Sequence, residues 1–198
     1  MTYEKKTFDL PELKKLSAKQ VEVHLGLYGG YVTHVNLLRE QLKELSEKGD
    51  AFAYASAETR RRLAFEFNGM RMHEYYFEQW EKGPQEAATD SPLAQALAEK
   101  YGSLEKGIEH FKMVGGSTRG IGWTVLTFDP RGSTPHISWV GDHELGQLAG
   151  LPVILAMDMW EHAYMVDYTP SEKKQYIEAF FENLNWGVIE KRFEEARV

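Results

Sequence analysis

Seven histidines and no cysteine define the metal chemistry open to this chain of 198 residues. Without a thiolate, disulfides and cysteine-ligated zinc or iron–sulfur sites are excluded, so a metal ion must be bound by histidine, aspartate or glutamate. The sequence contains no His-Glu-x-x-His motif, and no histidine follows a glutamate by three positions. The zincin metalloprotease pattern and the glutamate–histidine pairs of di-iron helical bundles are therefore absent.

Two histidines lie in segments with helical periodicity and aromatic neighbours. Because a helix advances about 100° per residue, Tyr28 and Tyr31 fall close to the face that carries His24. His73 lies among six aromatic residues in FEFNGMRMHEYYFEQW, where burial favours the neutral imidazole that binds metal. Gly69, one turn earlier, would let another part of the chain approach closely. Both patterns are explained equally well by helix faces that are buried through aromatic packing.

A carboxylate and a histidine stand four residues apart after an apolar run. Asp158 follows the run at residues 151–157, and a carboxylate that ends a buried strand needs a positive partner. Four residues of turn or helix would return His162 to the same side of the chain as this carboxylate. The pair could bind a cation, or the carboxylate could orient a histidine that acts as a general base.

The segment from Asp158 to Tyr164, DMWEHAY, resembles the D-x-W-E-H-A-Y signature of the iron/manganese superoxide dismutases. Five specific residue types match at fixed spacing. Trp123 in GIGW is similar to the tryptophan of the family's G-S-G-W segment, and Asn185-Trp186 is similar to its N-W pair near the C-terminus. The resemblance extends from about residue 16 to the end of the sequence.

The resemblance implies one iron or manganese ion per subunit, with a weak preference for iron, and disproportionation of superoxide to dioxygen and hydrogen peroxide by one-electron cycling. The metal ligands it implies are His24, His73, Asp158 and His162. Three imidazoles and one carboxylate suit these two metals. One alternative is a relative that binds metal without dismutating superoxide, as a metal store or interaction module. A zinc hydrolase on the same histidines has no supporting general-base arrangement.

Further roles follow from the resemblance around the implied ligands. A tyrosine on the first helix should guard the substrate funnel, but the interval from His24 to Tyr31 is one residue shorter than is usual in the family. Either Tyr28 or Tyr31 could therefore be this residue. His143 stands where the C-terminal half of the family supplies a glutamine, and Gly69 leaves the alternative place on the second helix without a side chain. Two tryptophans are expected to line the site: Trp123 and Trp160.

Two residues of the signature resemble those that cross the family's dimer interface. Glu161 is expected to reach the ligand histidine of the other subunit, and Tyr164 is expected to lie in the same interface. Tyr28 stands where the family usually has a histidine of the interface relay, so the link to Tyr164 is an open question. A homodimer is implied, with a tetramer as an alternative.

Charge and hydropathy exclude some partners. With 23 Lys+Arg against 30 Asp+Glu, the net charge is −7, unlike the basic face of a nucleic-acid binder. This charge should also repel superoxide at long range, so we expect basic residues to steer it near the entrance of the site. The longest apolar run, residues 151–157, is far shorter than a membrane span of about 20 residues, and the N-terminal segment lacks a signal-like apolar stretch. We expect a soluble, cytoplasmic protein.

Local patterns predict an α+β protein in two parts. Residues 1–83 are predicted to form an N-terminal domain with a long helical hairpin. Its first helix begins at a capping box formed by Ser17 and Gln20 and ends near Lys48, and its second covers residues 57–82. The pair Gly29-Gly30 inside the first helix predicts a kink or a close approach by another backbone.

Residues 84–198 are predicted to form a mixed α/β domain after the polar linker GPQEAATD. Two helices are expected at residues 92–101 and 104–113. Strands at residues 123–128 and 136–140 should form an antiparallel hairpin, and a third, buried strand is expected at residues 151–157. A closing helix to about residue 184 should start from a capping box at residues 169–172. The expected domain is thus a three-stranded antiparallel sheet with flanking helices.

Overall fold

A computed structural model of the chain describes residues 2–198; Met1, the first residue of the predicted N-terminal domain, lies outside the described residues. The main elements are α1 (Ala18–Glu47), α2 (Ala53–Glu78), α3 (Pro92–Tyr101), α4 (Leu104–Ser117), β1 (Gly122–Asp129), β2 (Thr134–Gly141), β3 (Val153–Asp158), α5 (Lys173–Glu182) and α6 (Trp186–Ala196). Short 3₁₀ turns cover Asp50–Phe52, Glu161–Ala163 and Pro170–Glu172. This order confirms the predicted α+β class, with a helical hairpin before a three-stranded sheet.

The start of α1 forms only half of the predicted capping box. The Ser17 hydroxyl accepts a hydrogen bond from the Gln20 backbone N–H at 3.0 Å, as an N-cap residue does. The Gln20 side chain, however, donates to the His162 carbonyl at 2.6 Å and accepts from the Val166 N–H at 2.9 Å. The predicted return bond from Gln20 was therefore wrong, because this buried amide connects α1 to the segment after β3.

The helix α1 continues without a break through Gly29 and Gly30. The N-terminal segment crosses it there: a Cβ on Gly29 would lie 3.4 Å from the Lys5 side chain. The predicted close approach by another backbone is therefore not observed, because the contact at Gly29 is with a side chain and Gly30 has no such neighbour within 4 Å. The second helix, α2, begins and ends earlier than the predicted 57–82. Turn hydrogen bonds follow its last residue, and at Lys82 the backbone has a φ of 61° and donates its N–H to the Asp9 carbonyl at 3.0 Å, so the predicted helix does not reach residue 82.

The sheet has the order β2-β1-β3, and both pairings are antiparallel. The predicted hairpin of β1 and β2 is confirmed. All six residues of β3 are buried, as expected for the third strand, although it begins at Val153. In the β1–β3 register Trp123 lies opposite Asp158, so the pairing brings the tryptophan beside the last residue of β3.

The C-terminal helices contain one correct prediction and one omission. The predicted capping box forms at Thr169, whose N–H donates to the Glu172 carboxylate at 2.9 Å. The helix α6 was not predicted, although its pattern is present: Asn185 caps its first turn, and Trp186, Ile189 and Phe193 form the buried face. The α4 helix also extends past its predicted end, to Ser117. None of the helices within residues 2–198 has the length and apolarity needed to span a bilayer.

Candidate metal centre

Four side chains from separate elements converge at the end of the sheet. His24 extends from α1, His73 from α2 and Asp158 from the end of β3, while His162 belongs to the following 3₁₀ turn. One donor atom from each of the four lies within 4.8 Å of the others. The Asp158 Oδ2 atom lies 2.9 Å from His24 Nε2, 3.1 Å from His162 Nε2 and 3.6 Å from His73 Nε2. Residue spacing alone does not predict that side chains from both halves of the chain meet at one point.

Backbone contacts fix the orientation of two of these groups. His73 Nδ1 lies 2.6 Å from the Gly69 carbonyl, which can only accept, so the ring carries its proton on Nδ1 and leaves the Nε2 lone pair free. The Asp158 Oδ1 atom accepts the Trp160 N–H at 2.8 Å, which directs Oδ2 toward the histidines. The Tyr176 hydroxyl donates a hydrogen bond to the backbone carbonyl of Asp158 at 2.6 Å, which fixes the backbone of the same residue.

The ionisation of the cluster follows from its burial. Burial lowers the pKa of His24, and burial together with the neighbouring His24 lowers the pKa of His73 well below its ordinary value. For Asp158, burial acts to raise the pKa, but the contacts with His162 and His24 outweigh it and hold the pKa below its usual range. At neutral pH this gives a carboxylate beside two neutral imidazoles that can donate lone pairs.

The donor set fits an iron or manganese ion. His73 Nε2 is buried and has no hydrogen-bond partner among the described residues. A buried nitrogen lone pair without a partner is unfavourable unless a bound group completes it. Here it faces a carboxylate oxygen and two further imidazole nitrogens, the mixed nitrogen and oxygen set that suits these ions.

A second chain of contacts lies beside the cluster. Trp123 donates its indole N–H to His143 Nδ1 at 2.9 Å, and His143 Nε2 lies 2.7 Å from the Tyr31 hydroxyl. Because indole N–H can only donate, Nδ1 of His143 is the acceptor, and the proton of the neutral ring is on Nε2. His143 therefore donates to the Tyr31 oxygen. Burial lowers the pKa of His143 to about 4, which keeps this ring neutral at physiological pH.

Tyr31 reaches this position because Gly69 leaves room for it. A Cβ on Gly69 would lie 2.6 Å from two carbons of the Tyr31 ring. The ring centroid of Tyr31 lies 5.0 Å from that of His73 and 4.9 Å from that of His143. The close approach predicted at Gly69 is therefore made by the tyrosine of the other hairpin helix.

Tyr28 has different hydrogen-bond partners from Tyr31. Its hydroxyl accepts the Lys6 N–H at 3.0 Å and donates to the Glu74 carboxylate at 3.1 Å, and the side chain is fully buried. Burial raises its pKa to about 12. Of the two tyrosines that the sequence left as alternatives, only Tyr31 contacts His143 among the described residues.

The signature residues after β3 occupy different environments. Trp160 stacks on His162 and on His143, with centroid separations of 5.6 Å and 4.9 Å. Glu161 is exposed, whereas Tyr164 is 3% exposed and stacks on Tyr176. The Glu161 side chain is therefore open to solvent, whereas the Tyr164 ring is largely covered by its own chain.

Two residues near the cluster had no predicted role in it. Gln20 holds the His162 carbonyl, and Phe65 packs its edge against the His143 ring with centroids 4.7 Å apart. The position of Phe65 on α2, four residues before Gly69 and eight before His73, was the pattern that could have indicated it, since such residues share one helix face.

Comparison with known proteins identifies the family. The family model described as iron/manganese superoxide dismutases, C-terminal domain, matches residues 89–192. Three relatives are named as Fe superoxide dismutases. That of Methanothermobacter thermautotrophicus is 30% identical, covering 97% of this chain and 97% of the relative. Those of Cupriavidus metallidurans and Sulfolobus acidocaldarius are each 32% identical, covering 99% and 91% of this chain and 98% and 86% of the relatives. The chain therefore belongs to the iron/manganese superoxide dismutase family.

Proposed function

We propose that the chain is a superoxide dismutase that holds a single iron ion, with manganese as the alternative, through His24, His73, Asp158 and His162. The observation that carries this proposal is the convergence of four donor atoms around the unpartnered Nε2 of His73. Iron is favoured because the three relatives are named as Fe superoxide dismutases. When bound, the ion supplies a centre that exchanges single electrons between stable oxidation states, which no side chain of this protein can do.

The protein's own groups have defined tasks around that centre. Asp158 provides a negative charge that offsets part of the charge of a bound cation, and the carbonyl of Gly69 keeps the His73 lone pair directed at it. Trp123 and Trp160 cover the site with apolar surface, which limits the entry of bulk water and strengthens charge interactions inside.

We propose that Tyr31, and not Tyr28, guards the substrate entrance. His143 donates to the Tyr31 oxygen, so the phenol's own hydrogen is free to be donated into the site. Burial raises the pKa of Tyr31, which keeps that hydrogen in place at neutral pH. Because peroxide formation consumes protons, a phenol that keeps its hydrogen is suited to donate a hydrogen bond to the anion and to pass on a proton that solvent replaces.

Three expectations of assembly, domain structure and location belong to the same proposal. Glu161 is exposed and follows directly after Trp160. With a second copy placed over this surface, Glu161 of each subunit would hydrogen-bond to a ligand histidine of the other, as the resemblance implies. We propose a homodimer formed there. We also propose a domain boundary between residues 83 and 84, at the end of the helical hairpin, and a cytoplasmic, antioxidant role. Light scattering, limited proteolysis and cell fractionation test these three in turn.

The function is tested with metal-free protein loaded separately with iron and with manganese. We expect superoxide removal in proportion to bound metal, with a higher rate per metal atom for iron, and none in the metal-free protein. If both loaded forms bind metal but leave superoxide intact, the enzyme proposal fails and the metal-binding alternative holds. As a variant, His143→Gln should keep the metal content and change the ratio of iron-supported to manganese-supported activity.

A further inference from the structure

Arg62 lies beside the Tyr31–His143 pair and has no role in the chemistry above. Its guanidinium carbon lies 4.1 Å from the centroid of the Phe65 ring. The Phe65 ring in turn lies edge-on to His143 at 4.7 Å and 6.4 Å from the Tyr31 ring. A single ring therefore separates this cation from the two residues of the proposed entrance.

An ion pair with Glu66 fixes the position of the Arg62 guanidinium. Its Nη2 atom lies 2.5 Å from Oε1 of Glu66, one turn along α2, and the other oxygen of that carboxylate lies 3.4 Å from His34 Nδ1. The Arg62 side chain is 50% exposed, whereas that of Glu66 is 3% exposed. The negative end of the pair is thus buried and the positive end faces solvent. Solvent screens the pair's attraction at this surface, so the interaction serves mainly to orient Arg62.

The charge of Arg62 is felt at both entrance residues. Burial lowers the pKa of His143, and the positive charge of Arg62 adds to that lowering. Burial and nearby carboxylates raise the pKa of Tyr31, and the same positive charge opposes the rise. Both effects are those of a positive charge, which would attract a small anion that approaches these two side chains.

Resting on the proposed dismutase function, we propose that Arg62 is a specificity residue that attracts the superoxide anion to the entrance beside Tyr31 and His143. The net charge of −7 repels an anion at long range, so a positive charge at the entrance is needed to give a favourable local path. Glu66 and Phe65 act as positioning residues that hold the guanidinium at that entrance.

Since the Phe65 ring lies 4.1 Å from the guanidinium and 6.4 Å from the Tyr31 ring, the size of the effect is that of one charge on the order of 10 Å away through mostly aqueous surroundings. At about 10 mM salt, where the screening length is about 30 Å, removing this charge should lower the encounter rate by about twofold. Reversing it should lower the rate by about three- to fourfold. Near 0.5 M salt both effects should disappear because the screening length falls below 5 Å.

The test compares Arg62→Gln, Arg62→Lys and Arg62→Glu with Arg60→Gln in the iron-loaded protein. Arg60 is exposed, lies on the same helix about 160° around from Arg62, and has the same charge. Two quantities are measured against ionic strength: kcat/KM for superoxide, and the dissociation constant of azide, a small anion whose binding is followed in the visible spectrum. Iron content is measured for every variant.

We expect Arg62→Gln and Arg62→Glu to lose about twofold and about three- to fourfold at low salt in both measurements, with unchanged iron content. Arg62→Lys and Arg60→Gln should stay near the wild-type values. The proposal is overturned if Arg62→Lys falls as far as Arg62→Gln, if Arg60→Gln has the same effect, or if Arg62→Gln has none. If the wild-type protein binds iron but does not dismutate superoxide, the function proposal fails, while the azide measurement still decides the role of Arg62.

Discussion

Replacing Gly69 with alanine should displace Tyr31 from its hydrogen bond. The new Cβ would lie 2.6 Å from two ring carbons of Tyr31, and carbon atoms at ordinary contact are about 3.5–4.0 Å apart. The ring must therefore move by about 1 Å. The bond between the Tyr31 hydroxyl and His143 Nε2, now 2.7 Å, would lengthen to about 3.7 Å, beyond hydrogen-bond range.

The energetic balance of Gly69→Ala combines three terms. Overpacking costs about 1–3 kcal/mol, and loss of one hydrogen bond costs about 0.5–1.5 kcal/mol. Alanine in place of glycine inside a helix returns about 1 kcal/mol. The net free energy of unfolding should fall by about 0.5–3.5 kcal/mol. Gly30→Ala is a matched control, because its Cβ would meet no heavy atom within 4 Å beyond the backbone of its own helix turn and should stabilise α1 by about 1 kcal/mol.

Urea unfolding of the two metal-free variants measures these changes. We expect Gly69→Ala to unfold at a lower urea midpoint than wild type and Gly30→Ala at a higher one, with similar slopes. The loaded Gly69→Ala protein should keep its metal and lose activity most at high pH, where proton supply matters most. Equal midpoints for the two variants, together with an unchanged pH profile, would refute the packing argument.

Three further predictions follow from the same contacts. Tyr28→Phe removes one buried and one partly buried hydrogen bond and should destabilise the protein by about 1–3 kcal/mol in urea unfolding while leaving activity per metal unchanged. Tyr31→Phe should instead alter the pH profile of activity, and the reverse pattern would contradict the assignment of the entrance. Gln20→Ala removes the bonds that hold the segment of His162 and should weaken metal retention by about 10- to 100-fold against a chelator, and unchanged retention would reject that supporting role. Burial lowers the pKa of His143 from about 6.5 in the unfolded chain to about 4 in the folded one, so the unfolded chain gains this proton first as pH falls. Between pH 7 and pH 4 the free energy of unfolding of wild-type metal-free protein should therefore fall by about 3 kcal/mol more than that of His143→Gln. Parallel curves of stability against pH would show that the shift is absent.

Local spacing was enough to predict part of the site. Asp158 and His162 are four residues apart, so the turn after β3 brings them together whatever the rest of the chain does. The convergence of His24 and His73 depends on how α1 packs against α2, which neither helix pattern contains. Their inclusion in the predicted ligand set came from the family resemblance.

The choice between Tyr28 and Tyr31 shows why other details could not be predicted. The two side chains lie on nearly the same helix face, so periodicity does not separate them. The backbone N–H of Lys6 bonds to the Tyr28 hydroxyl, and Gly69 provides space for the Tyr31 ring. Both determinants are distant in sequence and become visible only in the packed molecule.

The mistaken role of Gln20 has a similar origin. Its spacing from Ser17 is that of a capping box, but a buried amide is satisfied best where both its donor and its acceptor find partners. The segment after β3 offers a carbonyl and an N–H to it. The helix α6, in contrast, could have been predicted, because its N-cap residue and the helical spacing of its apolar residues are visible in the sequence.

The central claim is that four side chains hold one redox-active ion, and metal content combined with activity per metal atom tests it most directly. For the wild-type protein loaded with iron we predict about one ion per chain and superoxide removal in proportion to it. For His73→Ala and Asp158→Ala, with folding verified by circular dichroism, we predict loss of both. Folded variants that keep a full complement of iron and its activity would contradict the account.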